Sequence, residues 1–406
     1  MNPSRIVSLC RVTQVWGNLL GVGLMLCVVN LARAAAFVPQ SGEEVLERLR
    51  PTAFDAAAHE IHQLRARLAA DATNVPLACQ LARRCIERGR TDADPRFLGR
   101  AQSALAPWWE AATPPVDVLI LRATIKQSQH DFANALADLD AAAHLAPATP
   151  QVWLTRATIL TVLGEYAKAR QACVRLVEVA PGIVALTALA NVSSLSGGAE
   201  SACGLLRNSL SARNSASVAE RRWALTVLAE AEARIGRVAA AEADFKDALA
   251  LGPPDPYLLG AYADVLLAQR RAGEVVELLG SQPRADALLL RLARAESALT
   301  PVPATLAGHV ASLRARFEAG HLRGDFVHQR EEAQFTLHLL HQPQAALQLA
   351  QINWQVQREP ADALIFLESA VAAGAAGDAR PALDFIRSNR LEDVQLNRLA
   401  QQLDPK

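Results

Sequence analysis

Aromatic residues make up only 5% of this 406-residue chain, and it carries just two methionines. Hydrophobic residues nonetheless reach 51%, mostly alanine and leucine. Aromatic and β-branched residues favour pleated sheets, whereas Ala and Leu are strong helix formers. Their balance argues against a β-rich fold and points to an all-α chain. An excess of either charge is also missing, with 41 basic against 41 acidic residues. Nucleic-acid partners are therefore not expected, because such proteins need a basic surplus. Both signs are scattered, as on the wet faces of many helices. Catalytic signatures are lacking as well. There is no Gly-x-Ser-x-Gly elbow, no glycine loop leading to Lys-Ser/Thr, and no zincin or EF-hand spacing. No enzyme activity and no cofactor is expected.

The first 36 residues have a composition of their own. Arg5 and Arg11 give a positive start, an uncharged stretch runs from Val12 to Ala32, and Ala32-Arg33-Ala34-Ala35-Ala36 follows. A basic start, an apolar centre and an Ala-x-Ala end describe a cleaved secretory signal, with the cut after Ala34 or Ala36. The competing reading is a retained anchor, because 21 uncharged residues just span a bilayer. Gly21, Gly23, Asn18 and Asn30 dilute that span. Cys27 follows Leu26, where a lipid-attachment motif wants a small residue. The expected location follows the first reading: periplasmic or secreted after cleavage, with inner-membrane anchoring facing the periplasm as the alternative. The mature chain would hold 38 basic and 41 acidic residues.

Six cysteines in all exclude a disulfide-dense scaffold. Four lie beyond the leader. Cys79 and Cys85 are six apart on one expected helix, about 9 Å of rise, too far to bridge. Cys173 and Cys203 fall on second helices of neighbouring repeats, where either a disulfide or two buried thiols is compatible with the sequence.

The chain repeats itself. Small residues recur at Ala123, Ala157, Ala190, Ala229 and Ala263, spaced by 34, 33, 39 and 34 positions. Twelve positions on stand Ala135, Ala169, Ala202, Ala241 and Val275. Glycine stands seven on at Gly164, Gly197 and Gly236, and proline twenty-four on at Pro147, Pro181 and Pro253. A weaker copy begins at Ala370, with Gly377 and Ala382. Each unit reads as two antiparallel helices. Small residues let the helices approach, a glycine ends the first and a proline ends the second. Trp153, Leu139, Cys173, Leu206 and Phe245 fill the space between. No single pair can bury its apolar face, so neighbours must stack.

The strings from Trp153 to Ala169 and from Gly236 to Pro253 resemble tetratricopeptide repeats. Trp153, Ala157, Leu163-Gly164, Ala169 and Pro181 match the landmarks of that superfamily, as do Phe245, Ala248 and Pro253. The likeness is best over 116–279 and looser over 75–110 and 330–390. It implies a right-handed helical solenoid with a helical C-terminal cap, and a groove lined by first helices. Mapped on this chain, the groove candidates are Thr124, Gln127, Leu154, Thr158, Thr161, Trp223, Glu230, Arg234, Tyr257 and Asp264. They lack the Lys and Asn set that clamps a C-terminal carboxylate, so an extended or helical peptide fits better. The resemblance thus implies a non-catalytic scaffold for a protein or peptide partner, and the leader adds the expectation of a bacterial envelope location. A membrane-anchored assembly factor is the alternative, and an enzyme with a C-terminal site is the remote third.

The chain is expected to divide into the leader (1–36), N-terminal helices with a degenerate pair (37–115), the core array (116–299) and degenerate C-terminal helices (300–406). Over 75–105 a helix pair is expected to break near Gly89, with the second helix opening at Asp94-Pro95. Trp108 and Trp109 read as plugs against the first full repeat. Pro residues at 301 and 303 mark a soft boundary, and the polar end from Leu391 to Lys406 reads as a cap on the stack. His59/His62 and His338/His341 lie three apart on helices but lack acidic or thiol partners in a metal pattern, so no metal site is expected. Glu331-Glu332 after Arg330 reads as an ion-paired face and Arg323-Gly324-Asp325 as a turn. Mass spectrometry of the exported chain should find an N-terminus at Ala35 or Phe37; an intact first 34 residues would establish the anchor instead.

Overall fold

In the computed structural model, described for residues 55–212, 216–280, 285–324 and 327–404, every regular element is helical. The leader 1–36, the start of the expected N-terminal helix and Asp325 lie outside the described residues.

The local rule behind the fold is the turn between paired helices. Five hairpins follow one another: α5 (Val116–Ser128) with α6 (Phe132–Leu145), α7 (Pro150–Val162) with α8 (Tyr166–Val179), and α9 (Ile183–Ser194) with α10 (Ala199–Ser211). They continue with α11 (Val218–Arg234) and α12 (Val238–Ala250), then α13 (Pro256–Ala268) and α14 (Ala272–Leu279). Gly164, Gly197 and Gly236 sit in the turns with φ of +74°, +77° and +83°. In the first and fifth copies the same register holds His130 and Arg270, at φ of +58° and +59°. The backbone closes identically: Asp131 N–H donates to Lys126 O, Glu165 to Leu160, Gly198 to Ser193, Arg237 to Glu232 and Arg271 to Leu266. This is the six-to-one bond that satisfies an orphan carbonyl at a helix end. The register of the chain fixes the left-handed turn, and glycine is only its least strained occupant.

The small residues behave as their spacing predicts. Ala123, Ala135, Ala169, Ala190, Ala229, Ala241, Ala263 and Val275 are all 0% exposed. Sixteen positions after each opening alanine lies the bulky plug, and Leu139, Cys173, Leu206, Phe245 and Leu279 are sealed there too. Ionic staples reinforce two copies. Asp138 takes Arg122 in a bidentate pair (2.9 and 2.6 Å) and Lys126 at 2.9 Å. Asp244, in the same register, faces Arg207, which also binds Glu232. Burial and hydrogen bonding with Glu232 push the Asp244 carboxyl up to about 7.

Ahead of the array lie α1 (Ala56–Ala70), α2 (Val75–Asp92), α3 (Arg96–Ala104) and the short α4 (Ala106–Trp109). Gly89 does not break the pair. Helix α2 runs through it to a left-handed cap at Ala93. A Cβ at Gly89 would stand 3.1 Å from that of Phe97, so the glycine admits the second helix rather than ending the first. Trp108 and Trp109 pack on the cluster that includes Val118, Leu121 and Ile125 of the first full hairpin. Their carbonyls, with that of Ala111, accept from Arg122 Nη1. The array curls until α2 touches α13, and Ala93 packs on the core of α11 to α14. Cys79, Cys85, Cys173 and Cys203 are free and buried, so Cys173 and Cys203 are thiols and not a disulfide. Burial raises each of them, Cys79 and Cys173 to about 11.

Beyond α15 (Asp286–Ser297) and α16 (Thr305–Leu322) the chain turns back. Helices α17 (Gln329–His338), α18 (Pro343–Val356), α19 (Pro360–Ala373), α20 (Arg380–Asn389) and α21 (Val394–Leu403) share one core with α7, α8 and α9. The final segment keeps Gln395, Asn397 and Arg398 exposed while its leucines turn inward. Leu391, Leu396 and Leu399 are buried in that shared core, because α21 lies along the hairpins rather than beyond them. The weak sixth copy also departs from the pattern: Gly374, at φ +66°, caps α19, while Gly377 lies in a 3₁₀ turn spanning Ala376–Ala379. An Arg270→Gly variant should gain roughly 1 kcal/mol in chemical denaturation, since that exposed side chain holds a left-handed backbone. Gly164→Ala should lose stability by a similar amount or more, because its Cβ would meet Phe385 at 2.6 Å.

Candidate partner-binding groove

First helices supply one face of each hairpin, and the ten residues expected to line a groove divide sharply. Thr124 and Thr161 are each 7% exposed, and their hydroxyls donate to Ile120 O and Ala157 O one turn back. Helix packing has consumed both, and they offer a ligand nothing. Thr158 is exposed, though its hydroxyl likewise returns to Leu154 O. Gln127 is half-buried. Leu154 and Trp223 pack against the core that joins α7–α9 to α17–α21, so this chain's own helices contribute to the surface they meet.

The remaining four converge. Tyr257 Oη donates to Glu230 Oε2 across two hairpins. Arg234, one turn after Glu230, donates to Ser194 Oγ at 2.7 Å. Asp264 receives Arg291 of α15 in a bidentate pair at 2.8 and 2.6 Å. Burial raises the Glu230 carboxyl, against the pull of Arg234 and the Tyr257 hydrogen bond. Tyr257 keeps 48% of its surface accessible while protein surrounds it on enough sides to push its phenol well up, Glu230 adding to the effect. Protein thus closes in on the cluster while solvent still reaches Tyr257.

The opposite wall is a second charged cluster that the repeat pattern did not reveal. Arg330 Nη1 donates to Glu359 at 2.8 Å and lies 3.4 Å from Asp362. Burial works against the Arg330 charge, but Asp362, Glu331 and Glu359 outweigh it and hold the guanidinium charged. Asp362 is sealed and receives Asn353 Nδ2 at 2.8 Å, and it closes a capping box with Glu359 at the start of α19. Burial, with Glu359 adding to it, pushes Asp362 up to about 6. Arg330-Glu331 is an ion-paired segment, as its sequence suggests, but its partners come from α19, more than 25 residues away. His338 meets Glu368 at 3.2 Å.

The returning helices dock on the turn edge of the array. Arg358 N–H donates to Val162 O at 2.8 Å, and Tyr166 Oη donates to Arg358 O at 3.4 Å. Ala199 N–H, a donor at the start of α10, is satisfied by Glu392 Oε2 at 2.8 Å. The turn glycines carry the seam: Phe385 lies over Gly164, Arg390 over Gly197 and Val394 beside Gly236. A side chain at the first two positions would collide with the returning helices. These glycines therefore answer two demands, the left-handed turn and the close approach.

Stacked hairpins of two 8–17-residue helices, joined by one left-handed turn and sealed by alanine pairs, decide the architecture. The fold is an all-α helical-repeat solenoid. Solved structures similar to it include a tetratricopeptide repeat protein from Parabacteroides merdae, with a TM-score of 0.41 and 17% identity over 64% of this chain and 91% of that one. The APC/C hetero-tetramer Cut9–Hcn1 gives a TM-score of 0.40 and 13% identity over 86% of this chain, which spans 60% of that chain. No family profile matches the sequence, and no curated protein does either. Among the described residues no helix is long and apolar enough to cross a membrane.

The Asp362 carboxyl predicts a pH dependence. Its folded value lies above that of an unfolded aspartate, so the native state binds the extra proton between about pH 4 and pH 6. Stability from this group is therefore present at the acidic end and declines as pH rises through that window. Denaturation midpoints at pH 4.5 and 7 should show Asp362→Asn lessening the decline by on the order of 1 kcal/mol.

Proposed function

We propose that the protein is a non-catalytic scaffold that holds a protein or peptide segment in the open part of its concave face. The observation that carries this reading is the cluster of Tyr257, Glu230 and Asp264. It joins Glu230 of one first helix to Tyr257 and Asp264 of the next, and Tyr257 remains 48% exposed although protein surrounds it on several sides. A half-desolvated phenol beside a carboxylate is a natural anchor for a hydrogen-bonding peptide, since Tyr supplies contact area at small entropic cost. Helical solenoids present such surfaces because their curvature is built into each repeat. Fold alone names no partner. The expected occupant is a segment with apolar side chains and a few exposed amides, consistent with the mixed lining from Thr158 to Asp264.

An envelope location is supported by the leader's basic start, its uncharged run from Val12 to Ala32 and its Ala-x-Ala end, the pattern of an export signal. The second reading, a membrane-held assembly factor, rests on the same 21 uncharged residues remaining attached. A photo-crosslinking residue placed at 257 should give discrete protein adducts in envelope preparations, and the same residue at exposed position 174 on a second helix should not. Equal yields from both positions, or none from 257, would remove the groove as the binding surface.

A further inference from the structure

A polar cleft of about 350 Å³ lies on the seam between the array and the returning helices. It is lined by Tyr166, Arg170, Ser196, Ser388, Asn389 and Arg390. Two arginines line it. Arg170 of α8 donates to Ser196 Oγ at 3.1 Å. Arg390 caps α20 with φ +51°, and its side chain runs over the neighbouring Gly197, whose added Cβ would lie 3.1 Å from Arg390 Cβ and 3.5 Å from Cδ. One turn thus draws an arginine from each side of the seam.

No carboxylate pairs with either arginine among the described residues, and the nearby ones are engaged elsewhere. Glu165 binds Lys168, Glu200 binds Arg237, Glu392 accepts Ala199 N–H and Asp393 caps Gln395 and Leu396. Two like charges gathered at one turn repel unless a counter-charge sits between them. Ser388 spends its hydroxyl donor, and Asn389 one of its two amide donors, on Phe385 O at 3.1 and 3.0 Å, leaving oxygen acceptors in the cleft beside the arginines. Guanidinium groups recognise planar or tetrahedral oxyanions by paired N–H donors, and hydroxyl and amide oxygens suit the sugar or alcohol end of an ester.

We infer that this cleft binds a small phosphorylated ligand, its oxyanion held between Arg170 and Arg390. Bound there, the ligand bridges the hairpins to the C-terminal helices and stabilises the closed seam by linkage. The volume exceeds what a bare oxyanion fills, so a phosphomonoester is the favoured occupant over inorganic phosphate.

The test uses the full mature chain in chloride and in 10 mM inorganic phosphate or glycerol 3-phosphate at matched ionic strength. The expected result is a Tm rise of about 1–2 °C with phosphate and a larger one with the ester. Arg170→Gln and Arg390→Gln should each abolish the rise while leaving the Tm in chloride unchanged, because both side chains are exposed. Isothermal titration of the wild-type chain should give a saturable isotherm with the ester, a readout that does not depend on how the variants fold. No rise and no isotherm for the wild-type chain, or an undiminished rise in the double variant, would overturn the assignment. A rise with phosphate that the ester does not exceed would overturn the preference for the ester.

Discussion

Contact between alanine-sized residues across each helix pair is the constraint on which everything else rests. At a fixed register, twelve positions apart, side chains no larger than valine let two backbones approach until a bulky neighbour sixteen positions on fills the gap. Interiors are packed to crystal-like density, so an added methylene there is felt at once. The close approach leaves room for a turn of only a few residues, and such a turn needs one left-handed residue. His130 and Arg270 show how strict this is: the chain bears the strain of a non-glycine backbone rather than lengthen the connection.

The same turns then become a surface. Where glycine occupies the left-handed position, no Cβ stands in the way, and the C-terminal helices use the clearance. Phe385, Arg390 and Val394 meet three successive turns, so the periodicity of the array is read by a non-repetitive piece of the same chain. Backbone hydrogen bonds from Arg358 to Val162 and from Ala199 to Glu392 lock this docking at points where the repeat leaves groups unsatisfied. The result is a solenoid whose turn edge is occupied internally and whose accessible concave surface narrows to the region around Tyr257.

Electrostatics follows the same division. Inside the first hairpin Arg122–Asp138 ties the first helix to the second, while Arg207–Asp244 ties the second helices of neighbouring hairpins. Between the array and the returning helices, charges come in uneven groups: three carboxylates around Arg330, a protonation-prone Glu230 beside Arg234, and two unneutralised arginines around Ser196–Gly197. Buried ion pairs are poor sources of net stability but costly to disrupt singly. Their concentration along the seam makes it the part of the fold most responsive to pH and to ions.

The sequence by itself determined the helical class, the hairpin boundaries, the alanine contacts and the plugs. These depend on neighbours within about forty residues, so each repeat announces them independently. It also indicated the clustering of Glu230, Arg234, Tyr257 and Asp264, because equivalent positions on stacked units face one way. It misjudged Gly89, since glycine serves close packing as well as helix ends, and Thr124 and Thr161, whose hydroxyls the helix itself absorbs. Only the tertiary structure decided where the C-terminal helices go. Their landing site is set by contacts between residues some 200 positions apart, such as Tyr166 with Arg358, and no periodic signal links two segments of which only one repeats.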